Sequence, residues 1–360
     1  MAVLVKDQLF KGIYQGRRVL VTGHTGFKGS WLVSWLKLLG ANTAGLSLAP
    51  DSAPNHYELL PAPNVSVFAD ILDAKQVDRL ISEFKPEIIF HLAAQPLVRE
   101  SYRDPVNTVA TNVLGLVNVL ESARQQTETR AFVNVTTDKC YENLELGTPY
   151  VESDRLGGYD PYSASKACSE IMTTSYRQSY PGSMLIASAR AGNVIGGGDW
   201  AEDRLIPDVV RATQEHNPVA IRQPQATRPW QHVLEPLSGY LLLGQQLLEG
   251  KKEFADSWNF GPETELNLSV QNLLESLSAY MPLEFKIEPE GKTLHEAQLL
   301  MLDCSKAKKN LAWKPILDKS ETLSMTASWY QSYYENGACD TQKQLEEYIN
   351  LAVKREASWV

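Results

Sequence analysis

The chain has 360 residues, 43% hydrophobic and 21% charged, which is more length than one ordinary domain uses and enough apolar material for a sizeable core. Its formal net charge of −9 disfavours nucleic acid or an anionic membrane as the main partner, although an acidic chain can still gather cations around an anionic ligand. No apolar run reaches the length of a membrane span, the segment Met1 to Asp7 lacks a signal peptide's arrangement, and Cys140, Cys168, Cys304 and Cys339 are too scattered for a disulfide framework or a zinc knuckle. A reduced, cytoplasmic, metal-free protein is expected.

Strand and helix patterns alternate from the start. Residues 18–22 are a short apolar run bounded by glycines, as a buried parallel strand should be. Trp31, Leu32, Trp35, Leu36 and Leu39 then recur at helical spacing, with Gly40 as a C-terminal stop. Further strands are expected at 43–48, 65–69, 87–92, 131–135 and 184–189, with helices over 74–84, 106–125 and 162–180. Repeated βα units predict an α/β fold: a doubly wound parallel sheet with ligands at the carboxyl ends of its strands. After about Ala191 a Gly196-Gly-Gly-Asp-Trp200 loop and recurrent prolines mark shorter elements. Residues 1–190 therefore read as a Rossmann-type domain and 191–360 as mainly a smaller C-terminal lobe, with part of the later chain interleaved. A final helix over 342–358 carries Leu345, Tyr348, Ile349 and Ala352 on one side, a stripe suited to packing on its own chain.

Between the first strand and first helix lies Thr22-Gly23-His24-Thr25-Gly26-Phe27-Lys28-Gly29. In that setting glycines allow a tight turn and close backbone approach to a pyrophosphate, and the helix N-terminus supplies amide donors. The carboxylate nearest the end of the second strand is Asp51, and no arginine occurs between Arg18 and Arg79. NAD is thus favoured over NADP. Asp70-Ile71, after the third strand, either covers the adenine or begins a helix as an ordinary cap.

The run Tyr162-Ser-Ala-Ser-Lys166 places a phenol and an amine one helical turn apart on the same face. The ammonium favours the phenolate, so a group with an ordinary pKa of about 10 can act as a base nearer neutrality. Thr136-Thr137-Asp138-Lys139 precedes it and adds an acid–base pair that simple alcohol oxidation does not need. Cys140 reads as a packed thiol in preference to a nucleophile.

Together, the Gly23/Gly26/Gly29 loop, His91-Leu92-Ala93-Ala94, Asn112, Thr136-Thr137-Asp138 and Tyr162-xxx-Lys166 resemble the extended short-chain dehydrogenase/reductases along nearly the whole chain. Within them the chain most resembles the nucleotide-sugar 4,6-dehydratases. Asp138-Lys139, Arg190 to Trp200 and Thr227 to His232 are similar to the group acting on CDP-glucose, where other members have Thr-Asp-Glu.

The resemblance implies a redox-neutral cycle with bound NAD: oxidation at C4, loss of water across C5–C6, then reduction at C6. The product would be CDP-4-keto-6-deoxy-D-glucose, on a bacterial route to the dideoxy sugars of lipopolysaccharide O-antigen. Tyr162 would be the base at the C4 hydroxyl, Lys166 would hold it, Thr137 would donate to the C4 oxygen, Asp138 would be the acid at C6 and Lys139 the base at C5. The cofactor would meet Gly23, Thr25, Gly26, Phe27, Lys28, Gly29, Asp70, Ile71, Leu92, Ala93, Ala94, Asn112, Tyr162 and Lys166. Asn193, Arg204, Arg228 and Asn259 would grip the substrate's pyrophosphate, with Trp200 and Trp230 either stacking on substrate or serving the core. Pairing of the helices at 106–125 and 162–180 would give a homo-oligomer. A nucleotide-sugar 4-epimerase, a dehydratase for another nucleoside diphosphate sugar, and a nucleotide-binding redox sensor without turnover are the competing readings. The epimerase needs no Asp138-Lys139 pair, and the sensor needs neither Tyr162 nor Lys166.

Overall fold

A strand covered by helices on both faces must be apolar on both, and β1 (Arg18–Thr22) has four of its five residues buried. The structure, a computed structural model, describes residues 6–145, 147–182, 184–288 and 299–360. With β1, the strands β2 (Asn42–Ser47), β3 (Val65–Phe68), β4 (Ile88–His91), β5 (Ala131–Val135), β6 (Leu185–Ala191) and β7 (Ser257–Phe260) form one parallel sheet in the order 3-2-1-4-5-6-7. Succession reverses between β1 and β4, so the connections leave on opposite faces and open a crevice at the carboxyl ends.

Helix α1 (Phe27–Leu38) follows β1, and Gly40 just beyond it has φ +74°, the left-handed conformation that stops a helix. Asp73 caps α2 (Ala74–Phe84) by accepting from the Lys75 and Gln76 amides. After α3 (Val98–Arg103), the single helix expected over 106–125 is broken. Helix α4 (Pro105–Val109) runs into a wide π turn, Ala110–Gly115, before α5 (Leu116–Arg124) resumes normal winding. Helix α6 (Pro161–Ser179) begins with Asp160 accepting from the Ser163 amide and Pro161 in its first turn, which sets Tyr162 near the positive end of the helix dipole.

Beyond Ala191 the chain makes short strand pairs and α7 (Leu205–Gln214), then returns to the sheet. Every residue of α8 (Leu234–Leu248) is buried, which its Leu-rich sequence permits, and β7 extends the sheet beside β6. The first layer thus contains residues from both halves of the chain. Three further helices complete the described chain: α9 (Val270–Leu277), α10 (Lys319–Asn336) and α11 (Thr341–Lys354). The α11 stripe Leu345, Tyr348, Ile349 and Ala352 is buried on its own chain, with Tyr348 against Trp35 and Trp359. This helix stops short of the expected 358, since Glu356 turns to φ +52°.

One ion pair holds α6 to the sheet. Arg190 on β6 meets Glu170 on α6 at 2.8 Å, with side-chain exposures of 3% and 0%. Glu170 also accepts from Thr136 and Ser188, and Arg190 donates to the Tyr141 hydroxyl and the Glu152 carbonyl. Two charges out of water are tolerable only when their remaining valences are met in this way. Glu170→Ala leaves the guanidinium buried and alone, and should cost about 3–5 kcal/mol of stability in a denaturant titration.

Candidate active site

The glycine loop is tight for geometric reasons. Gly23 has φ +74°, and a Cβ there would lie 2.7 Å from the Ala93 nitrogen and 2.8 Å from the Leu92 carbonyl carbon. At Gly29 a Cβ would meet the Gly23 oxygen at 2.0 Å, so turn and helix touch backbone to backbone. Gly26 is the N-cap of α1, exposed, with no acidic residue in the first turn. Free amides, a positive dipole end and a cradle without side chains fit the pyrophosphate of a dinucleotide. Thr25 hydrogen-bonds Ser47 at 2.7 Å and the Leu48 carbonyl at 3.0 Å, tying the loop to the end of β2. Opposite, Leu92, Ala93 and Ala94 form the half-buried end of β4, where the Ala93 amide donates to the Thr22 hydroxyl at 3.2 Å.

Several expected cofactor contacts have other duties. Asp70 is exposed and accepts from the Leu72 amide at 2.9 Å, closing a turn, while the cap of α2 is Asp73. Ile71 is 4% exposed and packs on Gly115, so its side chain belongs to the core. Asn112, in the π turn, donates to Ser165 (2.8 Å) and to the Gln95 carbonyl (3.1 Å), and accepts from the Gln95 amide (2.8 Å). Both of its polar atoms are committed to fastening the loop after β4 onto α6.

The carboxyl end of β5 carries the reactive cluster. Thr137 caps a turn at Asp138–Cys140 that packs on α6, and its hydroxyl donates to Asp138 Oδ1 at 2.9 Å. Burial pushes the Asp138 carboxyl up, against Lys139, Thr137, Arg228 and Lys28, which pull it down. Its Oδ2 is buried with no protein partner, and Gly192 alongside leaves no room for a side chain, since a Cβ would stand 2.8 Å away. A buried carboxyl with a raised pKa and one unengaged oxygen is suited to carry a proton. Cys140 is fully buried with its thiol pushed up, so it is packing, as expected.

Tyr162 is 7% exposed, and burial raises its phenol. A hydrogen bond with Thr137 and the charge of Arg204 oppose that rise. Lys166, the expected partner, sits one turn further along α6. Its Nζ, 3.5 Å from the Val135 carbonyl, is influenced chiefly by Glu170 and Cys140 once burial has brought it down to about 8. An ammonium inside the fold turns to the nearest acceptors, here a strand end and a carboxylate. Lys28 comes in from α1 with its amine 3.4 Å from the Tyr240 hydroxyl, brought down to about 7 by burial and by Arg204 and Lys166, and raised by Asp138.

On the lobe side, Arg204 pairs with Asp199 at 2.9 Å and reaches Tyr162 electrostatically. Arg228, 3% exposed, acts on Asp138. Half-buried Asn193 accepts from the Gln231 amide through its carbonyl at 3.2 Å. Asn259 does not serve as a grip. It is wholly buried, accepts from Tyr141 (2.7 Å) and donates to the Tyr150 and Asp303 carbonyls, so β7 uses it to hold the fold. Trp200 and Trp230 are core residues bonded to Tyr334 and the Leu268 carbonyl. Sequence reasoning missed Glu170 and Tyr240. The first was signalled by falling one turn after Lys166 on the same face; the second carried no local signal.

The chain is similar to several known proteins. A family profile described as GDP-mannose 4,6 dehydratase matches residues 20–326. A CDP-glucose 4,6-dehydratase of Salmonella typhimurium is 42% identical over 356 residues, covering 96% of this chain and 99% of the relative. Among solved structures, an epimerase of Methanothermobacter thermautotrophicus superposes with a TM-score of 0.80 at 26% identity, over 93% of this chain and 98% of the other. A Thermus thermophilus UDP-glucose 4-epimerase in complex with NAD does so at 0.77 and 25%, over 87% and 99%.

A side chain forced to positive φ costs about 1–3 kcal/mol. Gly23→Ala, which also meets the end of β4, should weaken dinucleotide binding by roughly ten- to a hundredfold in calorimetry.

Proposed function

The chain belongs to the GDP-mannose 4,6-dehydratase family, and from that membership and the geometry above we propose that it is a CDP-glucose 4,6-dehydratase that keeps NAD through its cycle. The observation that carries the elimination step is Asp138: a buried, raised carboxyl with one oxygen unengaged, beside Lys139 and within reach of Tyr162. An epimerase needs the phenol but has no use for that pair.

The hydrogen on C5 of a hexose is not acidic until C4 is a ketone. Gly23, Thr25, Gly26, Phe27, Gly29 and the Leu92–Ala94 edge would hold NAD, which would supply a hydride acceptor for the oxidation at C4 and a donor for the reduction at C6. Tyr162 accepts the C4 hydroxyl proton. Arg204, Thr137 and the α6 dipole favour its phenolate, and Lys166 would hold the ribose of a bound nicotinamide cofactor. Thr137 donates to the C4 oxygen as ketone character grows. Asp138 then protonates the departing C6 hydroxyl while Lys139 takes the proton from C5 and returns it there when the sugar is reduced; the cycle closes when the proton gained by Tyr162 is released and Asp138 takes one up from solvent. Arg204, Arg228 and Asn193 hold the pyrophosphate, whose paired oxygens suit planar guanidinium groups. Residues 191–360, apart from α8 and β7, supply this substrate side, and we place the enzyme in the cytoplasm; among the described residues no helix is long and apolar enough to cross a membrane.

Incubation with CDP-glucose deuterated at C4 should give a product with deuterium at C6 and solvent hydrogen at C5 by NMR. A galacto product that keeps its C6 oxygen would move the assignment to the epimerases. In Lys139→Met the same experiment should show C4 oxidation without loss of water; normal product would remove Lys139 as the base.

The protein should also self-associate. Val106, Val109 and Leu114 on the α4–α5 segment and Ile171 on α6 are exposed by 46–78%, around a hollow lined with Ala110, Val113, Val117 and Met172. A contiguous apolar surface of this kind is unusual on a monomer. Sedimentation should give a dimer or tetramer, and Val109→Glu with Ile171→Glu should shift it to monomer.

A further inference from the structure

We propose that Lys28 is a positioning residue for the acid, supplying the countercharge that Asp138 meets when it gives up its proton. The inference rests on the dehydratase reading. Lysine is an unexpected choice at this position. It lies in the first turn of α1, where the helix dipole disfavours a cation and where the first turn holds no carboxylate to offset it. Instead of turning to solvent, the side chain runs inward to the Tyr240 hydroxyl on α8, with its Nζ 5.8 Å from the centre of that ring.

The charges that act on it come from three other elements: Arg204 at the start of α7, Lys166 on α6 and Asp138 after β5. Asp138 is in turn faced by Lys139, Thr137, Arg228 and Lys28. Its own charge is felt by Tyr162, Cys140 and Tyr240. Lys28 is the member of this set that is carried by the cofactor loop itself.

During elimination the Asp138 O–H bond breaks and its proton passes to the C6 hydroxyl oxygen. The C6–O bond breaks with its electron pair, and water leaves. The C5–H pair becomes the C5–C6 double bond as the base takes the proton, and nothing is oxidised or reduced in this step. A carboxylate remains where water cannot solvate it. Burial and its cationic neighbours hold Lys28 down to about 7, so an ionised Asp138 stabilises the ammonium and the ammonium stabilises the carboxylate.

The test is rapid-quench and stopped-flow kinetics with CDP-glucose over a pH series, for the wild type, Lys28→Met, Lys28→Arg and Tyr240→Phe. Loss of the cation makes Asp138 a weaker acid with a higher pKa. In Lys28→Met the dehydration rate should therefore fall about tenfold and its alkaline limb should move to higher pH, with reduced nicotinamide accumulating at 340 nm. Arginine should restore most of the rate, and Tyr240→Phe should move rate and limb less but in the same direction. An unchanged rate and limb in Lys28→Met would overturn the proposal. So would a defect abolished by excess NAD, which would make Lys28 a cofactor contact. If a Lys28 variant does not fold, the Tyr240→Phe profile decides. Absence of a 4-keto-6-deoxy product from the wild type would instead sink the dehydratase reading.

Discussion

The buried contact between Glu170 and Arg190 is what the site stands on. It joins the middle of α6 to β6, and through Thr136 it reaches the end of β5, just where the reactive turn begins. Tyr162, Lys166 and Glu170 follow one another at four-residue intervals, so fixing the third fixes the rotation of the helix and the aim of the other two. Asn112 clamps the same helix from the opposite side through Ser165, from a π turn whose extra width alters the direction of side chains along it. Helix α6 is therefore held from two directions by buried polar groups with several partners each, the Arg190 Nε alone being left without one in this ion pair, and a slip of either clamp would reach the phenol first.

The electrostatics divide along the same line. Burial alone would raise both the phenol and the acid, and it does. What differs is the company each keeps: Arg204 works on Tyr162, whereas Lys139, Arg228 and Lys28 converge on Asp138, and Thr137 acts on both. A protein of net charge −9 thereby gathers a local group of cations around the end of β5. The Lys166 ammonium reaches the Val135 carbonyl at the end of β5, and the charge of Glu170 supports it against burial.

Much of this was legible in the residues. The apolar run of β1, the glycines after it and the Tyr162–Lys166 spacing are local patterns, and local backbone geometry follows from them. The exceptions have a common cause. Asn259 and Ile71 sit in motifs that read as binding segments, yet each is committed to the interior by partners distant in sequence: Tyr141 for Asn259 and Gly115 for Ile71. The break in the helix expected over 106–125 is of the same kind, since the apolar periodicity there is compatible with an unbroken helix.

By itself, then, the sequence determined the alternation of strands and helices, the glycine turn after β1 and the placing of Tyr162 and Lys166 one turn apart on one helix, because each is encoded within a few neighbouring positions. Tertiary structure alone decided which polar residues spend their hydrogen bonds inside the fold, which cations surround Asp138, and that Tyr240 lies under Lys28 at a separation of 212 residues. Such pairings depend on where the sheet brings distant segments together, and no periodicity along the chain records that distance.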